Sequence, residues 1–165
     1  VEDGISFLQA GESALLEIAS LNTRIRELFV QNVNGILSAG DKAAIAAELA
    51  EVVAAGVAID AAELNGTALL TATKNFTINL DGGTDAYGAA AGITLVSDSV
   101  ANIDAQSAKV ALALGSMAAG ISAMKGHQGT LYSLAANSEA AAARIQDTDF
   151  VRSSANLAKF SIMNK

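Results

Sequence analysis

Few side chains in this chain are placed to do chemistry, and their spacing limits what that chemistry is. Asp147 and Asp149, with Asp104 or Glu139, offer carboxylates for an acid/base pair. No nucleophile, histidine partner or glycine-rich phosphate cradle accompanies them, and an active site needs several convergent groups. Asp147-Thr148-Asp149 reads better as the turn that closes a helix, because Asp and Thr bond nearby backbone amides. His127, between Gly126 and Gln128, is expected in solvent, with no second metal ligand nearby. Asp81-Gly-Gly-Thr-Asp85 resembles part of a calcium loop but lacks the remaining ligands and the closing glutamate, so a hairpin turn is expected. One polar cluster is left: Arg24, Arg26, Glu27, Leu28 and Gln31, with Glu48 further on. Arg24 shares a helix face with Leu28, four residues on, and with Gln31, seven on. On spacing alone this is a solvated face with a local ion pair. No catalytic, cofactor-binding or metal site is expected.

Composition narrows the function classes further. The 165 residues fit one domain with a real core. There is no cysteine, so no disulfide framework and no cysteine-ligated zinc, and a single histidine excludes a multi-histidine metal cluster. Ten basic against 17 acidic residues, net −7, argue against nucleic acid and against an anionic membrane surface. The mean hydropathy of +0.38 reflects alanine. The longest charge-free helical stretch, Val110–Met124, is interrupted by Gly115, Ser116, Gly120 and Ser122 and is too short to span a bilayer. No signal peptide is visible.

The elements that must carry the polar cluster follow from periodicity. Leu8, Leu15, Ile18, Leu21, Ile25 and Leu28 mark one face of a helix from about Ile5 to Val33, with Asn34-Gly35 as its stop. Asp41 is the expected N-cap of a second helix that turns Ile45, Leu49 and Val52/Val53 inward. The period then changes. Asn65-Gly66 and Asp81-Gly82-Gly83 are turn signals, and Ala68–Thr73, Asn75–Leu80 and Gly92–Val96 read as short strands. Further on, Ile103, Val110, Met117, Met124, Leu131, Ser138 and Ile145 recur every seven residues. Ser107, Leu114, Ile121, Gln128, Ala135 and Ala142 form a second row, which together make a coiled-coil-like seam. Gly115, Gly120, Gly126 and Gly129 within this helix are read as points of close helix approach; a break near Gly126–Gly129 is the alternative. The expected fold is mainly α with a small β part, an elongated antiparallel long-helix bundle with a short β-hairpin sheet. Its parts are an N-terminal helix in residues 1–34, a second helix in 41–60, a β-hairpin region in 64–96, a long helix in 100–146 and the start of a terminal segment in 147–165.

Two stretches carry a family resemblance. Leu21-Asn-Thr-Arg-Ile-Arg-Glu-Leu-Phe-Val-Gln31 lies near the start. Ala143-Arg-Ile-Gln-Asp-Thr-Asp-Phe150 followed by Ala155-Asn-Leu-Ala-Lys159 lies near the end. Both resemble bacterial flagellin, over roughly Gly4–Leu80 and Ile103–Ile162, in the same order and at opposite ends. The resemblance implies a flagellin core domain whose preceding terminal helix is missing and whose following one is barely begun at Ser161–Lys165. Val96 is followed almost at once by Ser97–Val100, where most members insert an outer region; either the flagellin is naturally minimal or its outer domains were removed. Two departures stand out. Family members often carry Gln-Asn-Arg-Phe midway along the long helix, where this chain reads Gly120-Ile-Ser-Ala-Met124, and Phe29 replaces what is commonly a small residue.

The function the resemblance implies is a structural subunit of the flagellar filament, exported through the flagellar apparatus and polymerising for swimming. The hook-filament junction protein, or a secreted adhesin on the same bundle, is the alternative. It implies other flagellin subunits, a flagellin-sensing Toll-like receptor and an export chaperone as partners, and no enzyme activity or cofactor. It makes Arg24, Arg26, Leu28, Gln31 and Glu48 a subunit-contact or receptor surface. Without terminal helices the chain is expected to stay monomeric in dilute solution. Asn65-Gly-Thr67 and Asn75-Phe-Thr77 match a glycosylation tripeptide that is coincidental in a bacterial protein.

Overall fold

The computed structural model describes residues 1–70, 73–78, 83–88 and 93–164, without the side chains of residues 148 and 149. It is mainly helical, with two small antiparallel sheets. In chain order the elements are α1 (Glu2–Asn32), α2 (Ala39–Asp60), β1 (Glu63–Leu64), β2 (Thr67–Ala68), β3 (Lys74–Thr77), β4 (Thr84–Tyr87) and α3 (Val100–Met163). The chain divides into two compact units, Val1–Lys125 and Gly126–Lys165.

In the first unit, α1 buries Gly4, Phe7, Leu8, Gly11, Leu15, Ile18, Asn22, Ile25 and Leu28. Their alternating steps of three and four keep one stripe inward. The stripe meets the start of α3 in antiparallel register. A Cβ on Gly4 would fall 2.5 Å from Met124 Cε, one on Gly11 2.7 Å from Met117 Cε, and one on Gly120 3.1 Å from Leu8 Cδ1. Further along, Asn22 Nδ2 donates to the Ile103 carbonyl at 3.1 Å and to Ser107 Oγ at 2.8 Å. Ile103, Val110, Met117 and Met124 are buried, so the first four positions of the heptad row form the seam that the sequence predicts. The glycines divide differently from expectation. Gly120 is a point of close approach, whereas Gly115, Gly126 and Gly129 face open space. Gly4, Gly11 and, against Leu95, Gly56 are the other tight positions.

α2 starts one turn earlier than expected. Ser38, not Asp41, is its N-cap: Asp41 N–H donates to Ser38 Oγ and Ser38 N–H to Asp41 Oδ2, each at 3.2 Å. This reciprocal capping box satisfies two amides that the first turn leaves without partners. α1 ends without a left-handed glycine. Its C-cap is Val33 in the right-handed region, and Asn34 Oδ1 accepts from Ile36 N–H at 3.2 Å. The glycines with positive φ among the described residues are Gly66 and Gly88.

Among the described residues the β region holds four short strands. Asn65 (φ 53) and Gly66 (φ 71) make a two-residue left-handed turn between β1 and β2, which pair Glu63 with Ala68 and Leu64 with Thr67. β3 pairs with β4 in the register Lys74–Tyr87 to Thr77–Thr84. In the expected strand at 75–80, Ile78 is buried and Phe76 half-buried while Asn75 and Thr77 are exposed. Phe76 lies against Phe7 (5.8 Å between centroids) and Tyr87 (6.5 Å). The expected strand at 68–73, the end of that at 75–80, the Asp81-Gly82 turn and Gly92 lie wholly or partly outside the described residues. Residues 93–96 are not a strand. Ile93 and Leu95 are buried on either side of exposed Thr94, but the backbone is held by side chains. Ile93 N–H donates to Asp60 Oδ1 at 3.0 Å, and Gln106 Nε2 donates to the Thr94 carbonyl.

In the second unit, α3 continues to Met163 instead of closing at Gln146. Asp147-Thr148-Asp149 is helical, not a turn. The reason is local: no glycine or proline follows Gly129, and Ala140–Ala143 favours helix, so the isolated turn-formers are outvoted. Nor is the helix broken at Gly126–Gly129, where Thr130 and Ser133 hydroxyls donate to the carbonyls of Gly126 and Gly129. His127 is half-buried, not freely solvated. Leu134, Ile145, Phe150, Val151, Leu157, Phe160 and Ile162 are exposed. One window of α3 is long and apolar enough, by length and composition, to cross a membrane, and a third of it is buried inside the protein.

Candidate functional site

The polar cluster sits on the flank of α1, in the first unit. Position within the helix decides which of its members reach solvent. Arg24 is one residue before Ile25 and two after Asn22, both buried, so its side chain leaves the stripe at an edge. There it meets α2. Arg24 Nε donates to Glu48 Oε1 at 3.1 Å, its Nη2 donates to the same oxygen, and its Nη1 lies 3.4 Å from Glu27 Oε2. Both carboxylates, Glu48 first, hold the Arg24 guanidinium above its ordinary pKa. The Arg24 and Glu48 side chains are 48% and 47% exposed, so the link orients α1 and α2 more than it stabilises them.

Arg26 leaves the opposite edge. Its Nε donates to Asp104 Oδ1 of α3 at 2.9 Å. Asp104, which the sequence offers as half of an acid/base pair, is therefore an ion-pair partner. Glu139 and Asp147 are exposed, and the Asp149 side chain lies outside the described residues. Among the described residues no group of three or more His, Cys, Asp or Glu could hold a metal ion.

Between these two ion pairs runs an open groove of about 520 Å³, lined by Thr23, Arg26, Glu27, Val30, Gln31 and Asn34. The structure thus brings Arg26 and Gln31 to one groove and Arg24 and Glu48 to its α2-side border. Leu28 is excluded: it is 1% exposed and belongs to the core. A step of four residues rotates a side chain by about 40°, enough to carry Leu28 from the edge that Arg24 occupies into the stripe of Ile18, Asn22 and Ile25. Phe29 is half-buried and packs against the core. Thr23, Val30 and Asn34 were missed by the sequence reading; with Glu27 they recur at three- and four-residue steps, a signal hidden by their mixed polarity.

The stretch carrying this groove matches a known family. The bacterial flagellin N-terminal helical region matches residues 1–75. A flagellar filament 33 kDa core protein of Treponema phagedenis is 45% identical over 71 residues, covering 42% of this chain and 25% of the relative. Flagellin FlaB2 of Treponema pallidum (strain Nichols) is 44% identical over 71 residues, with 42% and 25% covered. A flagellar filament 31.3 kDa core protein of Treponema maltophilum is 42% identical over 71 residues, again with 42% and 25% covered. Residues 1–75 are thus similar to the N-terminal helical region of flagellin. The matched part of the chain spans about a quarter of the length of these relatives. All of α1, α2 and the first hairpin fall inside the flagellin match, and so do Arg24, Arg26, Gln31 and Glu48. The C-terminal motifs at 143–150 and 155–159 lie beyond it.

Proposed function

We propose that this chain is a flagellin, a structural subunit of the bacterial flagellar filament, exported from the cell and polymerising with other flagellin subunits for swimming. The observation that carries the reading is the likeness of residues 1–75 to proteins named as filament core proteins. The side chains support it. Large apolar residues are exposed along 126–163, and the flank of α1 is a polar groove bordered by ion pairs. Repeated heterologous contacts between such surfaces generate a helical filament when the rotation does not close. Deleting the gene should abolish filaments and swimming, and antibody to the chain should label filaments along their length. Labelling confined to the filament base would favour the hook-filament junction protein. Intact swimming with lost adhesion to host surfaces would favour an adhesin.

Within that reading, Arg24, Arg26, Gln31 and Glu48 form a contact surface for a neighbouring subunit or for a flagellin-sensing Toll-like receptor, and Leu28 takes no part. Replacing Arg24 or Glu48 by Ala should lower receptor binding several-fold while the melting temperature is kept. Unchanged binding with both variants would remove the receptor from the list of partners. An export chaperone is a further partner, to be tested by co-purification from cytoplasm in which export is blocked.

A further inference from the structure

The chain contains two exposed Asn-Gly steps in different backbone settings, and they have different chemical fates. Asn34-Gly35 lies in the connection between α1 and α2, outside any strand pairing. Asn65-Gly66 is the two-residue turn of the first hairpin, with both residues at positive φ and Leu64 and Thr67 paired on either side. An Asn followed by Gly is open to attack on its own side-chain carbonyl, because the following amide nitrogen carries no bulky neighbour. What remains is whether the backbone can bring nitrogen and carbonyl together, and whether the carbonyl is polarised.

We infer that Asn34 is a site of self-catalysed deamidation in the folded protein, and that Asn65 is spared. Asn34 Oδ1 accepts a hydrogen bond from Ile36 N–H at 3.2 Å. That donor is aimed at the oxygen on which negative charge develops during attack, as a backbone donor is in an oxyanion hole. Solvent base takes the proton of the Gly35 amide. The nitrogen bonds to Asn34 Cγ, the Cγ–Nδ2 bond breaks, and ammonia leaves with a proton from water. Water then opens the cyclic imide at one carbonyl or the other, giving Asp or iso-Asp. No oxidant or further reactant is needed. At Asn65 the same rotation would dismantle the turn and the β1–β2 pairing, so the folded state opposes it. At Asn34 only the connection between two helices has to adjust. Asn34 lines the groove with Arg26, Glu27 and Gln31, so each event places a new negative charge in that groove.

The test is peptide mapping by mass spectrometry of the whole folded chain, incubated at mildly alkaline pH, beside the same chain unfolded in urea. Conversion at Asn34 is expected to exceed that at Asn65 several-fold in the folded chain, and the two are expected to converge in urea. Gly35→Ala supplies a folded control. A Cβ there meets nothing within 4 Å and Gly35 is not left-handed, so the melting temperature should hold. Conversion at Asn34 should fall by roughly tenfold, because the added methyl crowds the attacking nitrogen. Equal conversion at the two sites in the folded chain, the same ratio in urea, or an unchanged rate in Gly35→Ala would each overturn the inference.

Discussion

The stretches of α3 that belong to the two units carry one heptad pattern and meet opposite fates. From Ile103 to Met124 every seventh residue is buried against α1 and the residues around it. From Leu131 to Ile145 the same row is half-buried or exposed, and Ile145 is 68% exposed. The difference is not in the helix, which is continuous from Val100 to Met163. It lies in what covers it: the first unit contains α1 as an antiparallel partner, and among the described residues the second contains no other element. A heptad seam states that a surface is apolar; it does not state which chain supplies the cover.

Substitutions can sharpen this contrast. Met117→Ala should destabilise the first unit by about 2–5 kcal/mol, because it opens a cavity under Gly11, whereas Ile145→Ala should change thermal stability by no more than about 0.5 kcal/mol. Differential scanning calorimetry of both variants checks this, and equal losses would dissolve the distinction. In the filament proposed above as the assembly of this chain, Ile145→Ala should instead lower the melting temperature.

The glycines give the next largest effect. Gly11→Leu forces a side chain into Met117 and should cost about 1–3 kcal/mol by overpacking. Gly126→Ala meets open space and should stabilise the isolated chain by up to about 1 kcal/mol through helix propensity. A loss at Gly126 would mean that this position is already covered in the isolated chain. Amide hydrogen exchange offers a check without mutation: amides of 130–160 should exchange much faster than those of 103–124. Uniform protection along α3 would break the comparison.

Arg24→Ala should have the smallest effect. Its ion pair with Glu48 is half-exposed, so thermal unfolding should be nearly unchanged, with any difference vanishing at high salt. A large loss of stability would recast the pair as a structural clamp between α1 and α2 and weaken its reading as a contact surface.

Much of the helical framework was legible in the chain. The stripe from Leu8 to Leu28 and the row from Ile103 to Met124 are periodic, and periodicity is a local property that burial follows. The capping box was half-legible: Asp41 was recognised, but its partner Ser38 was not, because either residue alone makes a good cap. The end of α3 was misread for the same kind of reason. Asp147-Thr148-Asp149 has turn chemistry, but the absence of glycine or proline after Gly129 outweighs it.

What the amino-acid sequence determined by itself was therefore the pattern of apolar faces, the helix-rich composition, and the likeness of residues 1–75 to the flagellin N-terminal helical region. These depend on residue type and spacing alone. Only the tertiary structure decided that Arg24 and Arg26 reach out to Glu48 and Asp104, so that Leu28 stays with the apolar stripe and not with the contact surface, and that Gly4 and Gly11, not Gly115 or Gly126, are the tight positions. It also showed that residues 93–96 are held by Asp60 and Gln106 instead of a neighbouring strand. Each of these outcomes depends on which element lies opposite, in the case of Gly4 and Met124 at the far end of the first unit's chain. A helical face carries no record of its partner until the two are packed together.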